Sequence, residues 1–417
     1  MVTLEVEVNG LKLPNPFVIG SGPPGTNANV IEKAFKEGWG AVIAKTISLD
    51  ADKVTNVAPR YARLRASETR EVLGWENIEL ISDRSFESWI DEFKKVKDLY
   101  PDGILIASIM EEYRKDTWQE ITERCQEAGV DAFELNFSCP HGLPERKMGS
   151  AMGQDSDIVA EVSAWVKEVS KVPIWAKMTP NITHIEDPAR AALAAGCDGV
   201  SAINTILSVM SVDLNTLRPE PTVEGFTVPG GYSCKAVRPI ALRMVMELAT
   251  MMYGGNSGKP IPEALDAIPA PDRKSASLDT GKISAIGHFD PQTNAGNFSD
   301  RSLSAIGGIE TGDDAAQFIL LGASTIQVCT GVMIHGYSLV KTMCEQLTAF
   351  MELHNFNTID DFRGHALQYF TTHAELVRRQ AAVKAADKAA RAGMVTEDKR
   401  WDGEKFVEQS NDLVAND

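Results

Sequence analysis

The sequence predicts a TIM (β/α)8 barrel with an N-terminal β-hairpin and a C-terminal helical extension. Three observations lead there. Eight short apolar runs alternate with stretches of helical periodicity. The runs are continuously apolar, as strands covered on both faces require. Several units also close on a similar small phrase built around glycine. A doubly wound sheet is the alternative. It would need a G-x-G-x-x-G turn after the first strand; GSGPPG at 20–25 has that glycine spacing, but its Pro23-Pro24 lack the backbone N–H groups such a turn offers a pyrophosphate.

The elements follow in order. Residues 3–13, TLEVEVNGLKL, alternate on both sides of Asn9-Gly10, which is a hairpin signal; two such strands could plug the N-terminal end of a barrel. The apolar runs are Pro16–Ser21, Gly40–Thr46, Ile104–Met110, Ala132–Phe137, Pro173–Met178, Gly199–Asn204, Leu303–Gly307 and Thr325–Thr330. The closing phrases are Glu37-Gly38-Trp39-Gly40, Ala128-Gly129-Val130-Asp131, Ala195-Gly196-Cys197-Asp198 and Leu321-Gly322-Ala323-Ser324. Glycine there ends a helix in the left-handed conformation before the next strand. Residues 255–299, rich in Gly, Pro, Ser, Asp and Asn, read as an inserted, partly mobile loop on the N-terminal face, away from chemistry. The barrel is expected over 1–375, and the charged, Ala-rich stretch 376–417 reads as a helical tail.

Composition narrows the function. The formal net charge is -17, without basic clusters, which argues against nucleic acid or an anionic membrane as partner. An anionic ligand must then be held by a local site against the global field. No run reaches the roughly 18–20 apolar residues of a membrane span. The N-terminus shows neither a signal peptide nor a transit segment. None of the six cysteines, Cys125, Cys139, Cys197, Cys234, Cys329 and Cys344, lies at C-x-x-C spacing, so no zinc ribbon or iron–sulfur cluster is visible. Reduced thiols of a cytosol-like compartment are expected.

A barrel builds its active site at the C-terminal ends of its strands. Those ends carry Ser21-Gly22, Lys45-Thr46, the run Asn136–Gly142, Lys177, Asn204-Thr205, Gly307-Gly308 and Cys329-Thr330. Lys45 and Lys177 are costly on a barrel rim unless paired. They could form salt bridges, donate to an electron-rich heterocycle, or, in an aldolase, form a Schiff base. Gly307-Gly308 and Cys329-Thr330-Gly331 open helices and suit a phosphate; a tight structural turn is the plainer reading. Asn77, Asn136 and Asn204, with Thr205, offer the paired donors and acceptors that an imide matches, or else cap turns. Cys139 is followed by Pro140, His141 and Gly142, and the stretch Leu143–Gln154 reads as a lid. An ordinary thiol is protonated at neutral pH and can donate a proton directly; inert packing is the alternative.

Together these phrases resemble the FMN barrel of the dihydroorotate dehydrogenase/dihydropyrimidine dehydrogenase superfamily. The resemblance rests on NGLKLPNPF, IGSGPPGT, GAVIAKTISLD, NIELISDR, NFSCPHG, ERKMGSAMGQD, AKMTPN, INT, RPIAL, IGGIETG and VCTG, spread over residues 3–345 apart from the insertion. FRGHALQYFTTH at 362–373 resembles the plant-type NADP-dependent branch. The resemblance implies that Cys139 is a general acid protonating pyrimidine C5 while reduced FMN delivers hydride to C6. It implies that Asn77, Glu79, Asn136, Asn204 and Thr205 hold the pyrimidine, with Ser138 and His141 flanking the acid. It assigns Ser21, Gly22, Lys45, Thr46, Lys177, Gly307, Gly308, Cys329 and Thr330 to the flavin, with Ser233 on the phosphate side.

One departure is Gly231-Tyr232-Ser233-Cys234-Lys235, where Cys234 stands in place of a glycine. A second is that the chain has no cluster-binding cysteines and no room for another nucleotide domain. NADPH is therefore expected to reduce FMN directly, unless a partner subunit delivers the electrons. The resemblance further implies a soluble homodimer, cytoplasmic, or plastidic after removal of a transit peptide. Alternatives are a dihydroorotate dehydrogenase, disfavoured by Glu79 and Glu111-Glu112 near the expected pocket, and a flavin-free aldolase.

Overall fold

The computed structural model describes residues 2–50, 54–139, 148–254 and 298–391. All eight apolar runs form strands of one closed parallel barrel: Phe17–Ile19, Ala41–Ile43, Ile104–Ile109, Ala132–Asn136, Ile174–Lys177, Gly199–Ala202, Ser302–Ile306 and Thr325–Val328. They pair in chain order, the eighth closing on the first through Ile326↔Phe17. Their outward side chains pack under the surrounding helices into one large core that includes Phe17, Trp89, Trp118, Phe133 and Phe318. Gly38, Gly129, Gly196 and Gly322, the glycines of the closing phrases, all have positive φ, between 92° and 109°.

The N-terminal hairpin is present, Val6–Val8 against Leu11–Leu13, turning on Asn9 and Gly10 at φ 50° and 82°. Val8 and Leu13 pack on Val18, Ala41, Ile43, Ile106 and Trp175, so the hairpin closes the bottom of the barrel. At the opposite end, two connections carry extra strands. Tyr61–Arg65 and Val72–Asn77 come from the loop after the second barrel strand; Ile206–Ser208 and Gly230–Ser233 come from the loop after the sixth. They form a four-stranded antiparallel sheet over the cavity rim. Buried Glu76 ties the two loops together, accepting from Ser208 Oγ at 2.8 Å, Met210 N at 3.0 Å and Gly230 N at 3.2 Å. Asn77 therefore sits on this cap sheet and not at the end of a barrel strand.

The compact barrel unit comprises Met1–Ile261 and Asp290–Phe370. The other unit is Pro262–Phe289 with Thr371–Asp417, in which His373–Arg391 is a helix. The expected insertion lies outside the described residues except for its last two positions, as does most of the tail.

Candidate active site

The barrel strand ends and the cap sheet enclose a cavity of about 1130 Å3, counting the space at its mouth. Cys139, Asn77, Glu79, Asn204 and Thr205 line it. So do Ser21, Gly22, Lys45, Thr46 and Lys177, and on another side Ser233, Gly307, Gly308, Cys329 and Thr330. Asn136 and Ser138 are buried behind the wall, not on it, and His141 lies outside the described residues.

Asn136 organises the turn that presents Cys139. Its Oδ1 accepts from Ser138 N, Ser138 Oγ and Cys139 N, each at 3.0 Å. Its Nδ2 donates to Thr46 Oγ1 at 2.9 Å, and Thr46 meets Ser108 Oγ at 2.8 Å and Ser21 Oγ at 3.1 Å. Asn204 Nδ2 donates to Ser138 Oγ at 2.9 Å, and Asn204 Oδ1 accepts from Thr205 N at 2.8 Å. All three asparagines thus spend amide atoms on the protein itself: Asn136 and Asn204 on turns, which is the capping use, and Asn77 by donating Nδ2 to Gly231 O at 3.2 Å across the cap sheet. The Cys139 carbonyl accepts from Ser150 N at 3.0 Å, and a Cβ on Gly149 would lie 2.5 Å from that carbonyl. The end of the expected lid, Met148–Gly153, is therefore packed under the thiol; residues 143–147 are outside the described residues.

Both rim lysines are paired. Lys177 Nζ meets Glu134 Oε1 at 3.2 Å and donates to Gln327 Oε1 at 2.8 Å. Gln327 Nε2 and Ser201 Oγ donate to Glu134 Oε2 at 2.9 and 2.7 Å, so the buried charges satisfy one another inside the barrel. An ammonium has three hydrogens; Glu134, whose Oε2 also lies 3.4 Å from Nζ, and Gln327 take at least two of them. Lys45 Nζ lies 3.5 Å from Glu79 Oε1, and Arg60 Nη1 lies 3.4 Å from the same oxygen. The Tyr61 hydroxyl donates to Glu79 Oε2; burial, then this bond, pushes the phenol well above its usual range.

Tyr61, Trp75 and Tyr232 line the cavity and were not anticipated, nor were Glu134 and Gln327. The aromatics belong to short inserted strands whose periodicity is too brief to read. Glu134 and Gln327 point into the barrel from mid-strand, where the sequence offers only a polar residue in an apolar run. Glu111 is buried, bound by Ser48 Oγ at 2.9 Å and Leu49 N at 2.6 Å, and is not on the cavity wall. Of Glu79 and Glu111, only Glu79 is on the cavity wall, where Lys45 and Arg60 flank it; Glu134 and Glu310 line the cavity as well.

The remaining side of the cavity is built from backbone. Gly308, at φ 72°, would carry a Cβ 2.7 Å from Cys234 O. A Cβ on Gly22 would lie 2.5 Å from Cys329 Sγ. Ser233 Oγ donates to Trp75 O at 3.0 Å and meets Thr330 Oγ1 at 2.9 Å. Cys234 adopts φ 80°, the glycine-type conformation, and turns its thiol to Val72 O and Glu310 Oε1 at 3.7 and 3.5 Å. Burial pushes the thiols of both Cys234 and Cys329 up to about 11. All six cysteines are unbridged.

The family model described as dihydroorotate dehydrogenase matches residues 3–255 and 299–351. The chain belongs to the dihydroorotate dehydrogenase family. Within it, the chain is 55% identical over 417 aligned residues to the chloroplastic dihydropyrimidine dehydrogenase (NADP(+)) of Arabidopsis thaliana, covering 99% of this chain and 88% of that protein. It is 36% identical to the PreA subunit of the NAD-dependent dihydropyrimidine dehydrogenase of Escherichia coli K12, covering 88% and 78%. It is 31% identical to the catalytic subunit of dihydroorotate dehydrogenase B (NAD(+)) of Pyrococcus abyssi, covering 88% and 99%. As a member of this dihydroorotate dehydrogenase family the chain is an oxidoreductase. Among its described residues no helix is long and apolar enough to cross a membrane.

Proposed function

We propose that this chain is a dihydropyrimidine dehydrogenase. It reduces the 5,6 double bond of uracil or thymine, with FMN as resident cofactor and NADPH as electron donor. The observation that carries the reading is one cavity wall bearing the Cys139 thiol, the amides of Asn77 and Asn204, and the Thr205 hydroxyl, above a lysine floor. The much closer likeness to the plant dehydrogenase than to the archaeal dihydroorotate enzyme favours a pyrimidine base over dihydroorotate.

The residues present fit FMN. Gly22, Gly307, Gly308 and Thr330 line the cavity with backbone, and the packing of Gly22 on Cys329 Sγ and of Gly308 on Cys234 O leaves no room for a side chain at either position. Ser21, Thr46 and Lys177 supply donors on the adjoining wall, with Lys45 held against Glu79. FMN bound there and reduced by NADPH would supply the hydride that pyrimidine C6 accepts. Asn77, Asn204 and Thr205 orient the base by its alternating carbonyl and N–H groups. Negative charge then develops on C5 and its neighbouring carbonyl, where amide donors stabilise it. Cys139 gives its S–H proton to C5, and solvent restores the thiol. Asn136 and Ser138 hold that thiol in place without touching the base, and Lys177 offers a fixed positive charge. A homodimer in the cytoplasm or a plastid completes the proposal; the name of the plant relative supports the plastid.

Replacing Cys139 tests the assignment. Cys139→Ala is expected to retain yellow, bound flavin and to lose nearly all turnover of uracil. Cys139→Ser is expected to keep a slow rate, because a hydroxyl is a poorer acid. Unchanged turnover in the alanine variant would overturn the assignment. Orotate consumed in preference to uracil would make the chain a dihydroorotate enzyme.

A further inference from the structure

We propose that Arg63 and Arg65, on the outer strand of the cap sheet, form the docking site for the phosphate groups of NADPH. The proposal rests on NADPH being the electron donor.

A chain of net charge -17 repels a dinucleotide that carries a pyrophosphate and a 2′-phosphate. Screening confines charge interactions to about 8–10 Å, so a local cluster of the opposite sign can still win. The strand Tyr61–Arg65 and its flanks supply one: Arg60, Arg63, Arg65 and Arg70 lie within eleven positions of the sequence. Arg60 is committed to Glu79. Among the described residues no carboxylate pairs with Arg63, Arg65 or Arg70. Of the acidic neighbours, Glu71 is taken by Lys235, which leaves Glu68 in the turn.

The arginines are placed in line with the cavity. Tyr61, opposite Asn77, is on the cavity wall. Its ring meets the edge of Trp75 at 5.8 Å, and the Arg63 guanidinium lies over the Trp75 ring at 4.1 Å. Trp75 is itself part of the wall, and its buried indole N–H has no acceptor among the described residues, so stacking is what holds the ring there. Positions two apart on a strand are about 7 Å apart on one face. Tyr61 and Arg63 therefore step from the cavity wall towards solvent, and Arg65 follows, exposed, just past a register shift at Leu64. The reactive ring of a dinucleotide belongs in the cavity, its pyrophosphate further out, and its adenosine phosphate furthest. Stacked on Trp75, the Arg63 guanidinium keeps its edge N–H groups for a phosphate. Arg65 is exposed and, among the described residues, is anchored by donating to Arg70 O at 2.9 Å.

The test is calorimetric titration of the FMN-loaded chain with 2′,5′-ADP, which carries the distinguishing phosphate but no reducible ring. Wild type is expected to bind it. Arg63→Ala/Arg65→Ala is expected to weaken it at least tenfold and to raise the KM for NADPH by a similar factor, with kcat changed less than twofold. Because removing Arg63 also unloads Trp75, Arg65→Glu alone provides a second variant, expected to lose at least as much. Unaltered 2′,5′-ADP affinity in both variants overturns the proposal, as does a wild type that does not bind it. If the arginines bind 2′,5′-ADP but NADPH does not reduce the flavin, the site stands and the donor reading falls. If NADPH reduces both variants with unchanged KM, the donor reading stands and the site falls.

Discussion

Asn136 shows how a single side chain can set the position of a proposed acid without reaching the cavity. One amide oxygen takes three donors from the turn that ends in Cys139. The sequence marked Asn136, Ser138 and Cys139 as one phrase, and the structure separates them into a frame and a presented thiol. That separation was not legible in the sequence, because a strand-end asparagine looks the same whether its amide faces inward or outward. Glu111 is a comparable case. It lies near the end of a barrel strand and reads as a pocket residue, yet it holds the loop at Ser48-Leu49. Burial raises its carboxyl to about 7, against the pull of those two hydrogen bonds. A raised folded pKa means stability that is complete below the unfolded value of 4.5 and is lost as pH climbs to about 7. The loss is on the order of 3 kcal/mol. Glu111→Gln keeps a neutral side chain and an acceptor for both donors. Its melting temperature is expected to fall less than that of wild type between pH 5 and pH 8. Parallel melting curves at both pH values would show that Glu111 does not carry this dependence.

At the level of elements, the barrel strands and the bottom hairpin were readable because their signals are long or repeated. Eight apolar runs recur, each followed by a helical stretch, and Asn-Gly between alternating residues has few other uses. The cap sheet was not readable. Its strands are three to six residues long, mix charged and aromatic residues, and are assembled from two distant loops. Its register depends on close backbone approach: a Cβ on Gly231 would lie 2.1 Å from Thr205 Oγ1. Gly308 makes the same demand on the proposed phosphate side. Gly308→Ala is expected to cost roughly 1 kcal/mol or more in backbone strain alone. The variant should purify with little flavin and regain colour only in excess FMN. Full flavin occupancy after purification would remove Gly308 from the cofactor loop. Leu13→Ala opens a void at the far end of the barrel, with an expected stability loss of about 2–5 kcal/mol. Its kcat for uracil should be unchanged, and a large loss of kcat would mean that the hairpin acts on the active site.

The whole molecule separates stability from chemistry along the barrel axis. The hairpin and its apolar cluster close one end, the interior charges of Glu134 and Lys177 neutralise each other at mid-height, and the cavity opens under the cap sheet. The chain is strongly acidic overall; the proposed pyrimidine is neutral, whereas the proposed phosphate-bearing donor approaches Arg63 and Arg65, which have no carboxylate partner among the described residues. The two substrates thus make opposite electrostatic demands on one cavity. The most direct test of this account is an anaerobic spectrum of the purified chain, first with NADPH and then with uracil. The predicted result is a yellow FMN spectrum that bleaches on adding NADPH and returns in full when uracil is added. A colourless chain that takes up no FMN, or a bleached flavin that uracil leaves reduced, would contradict it.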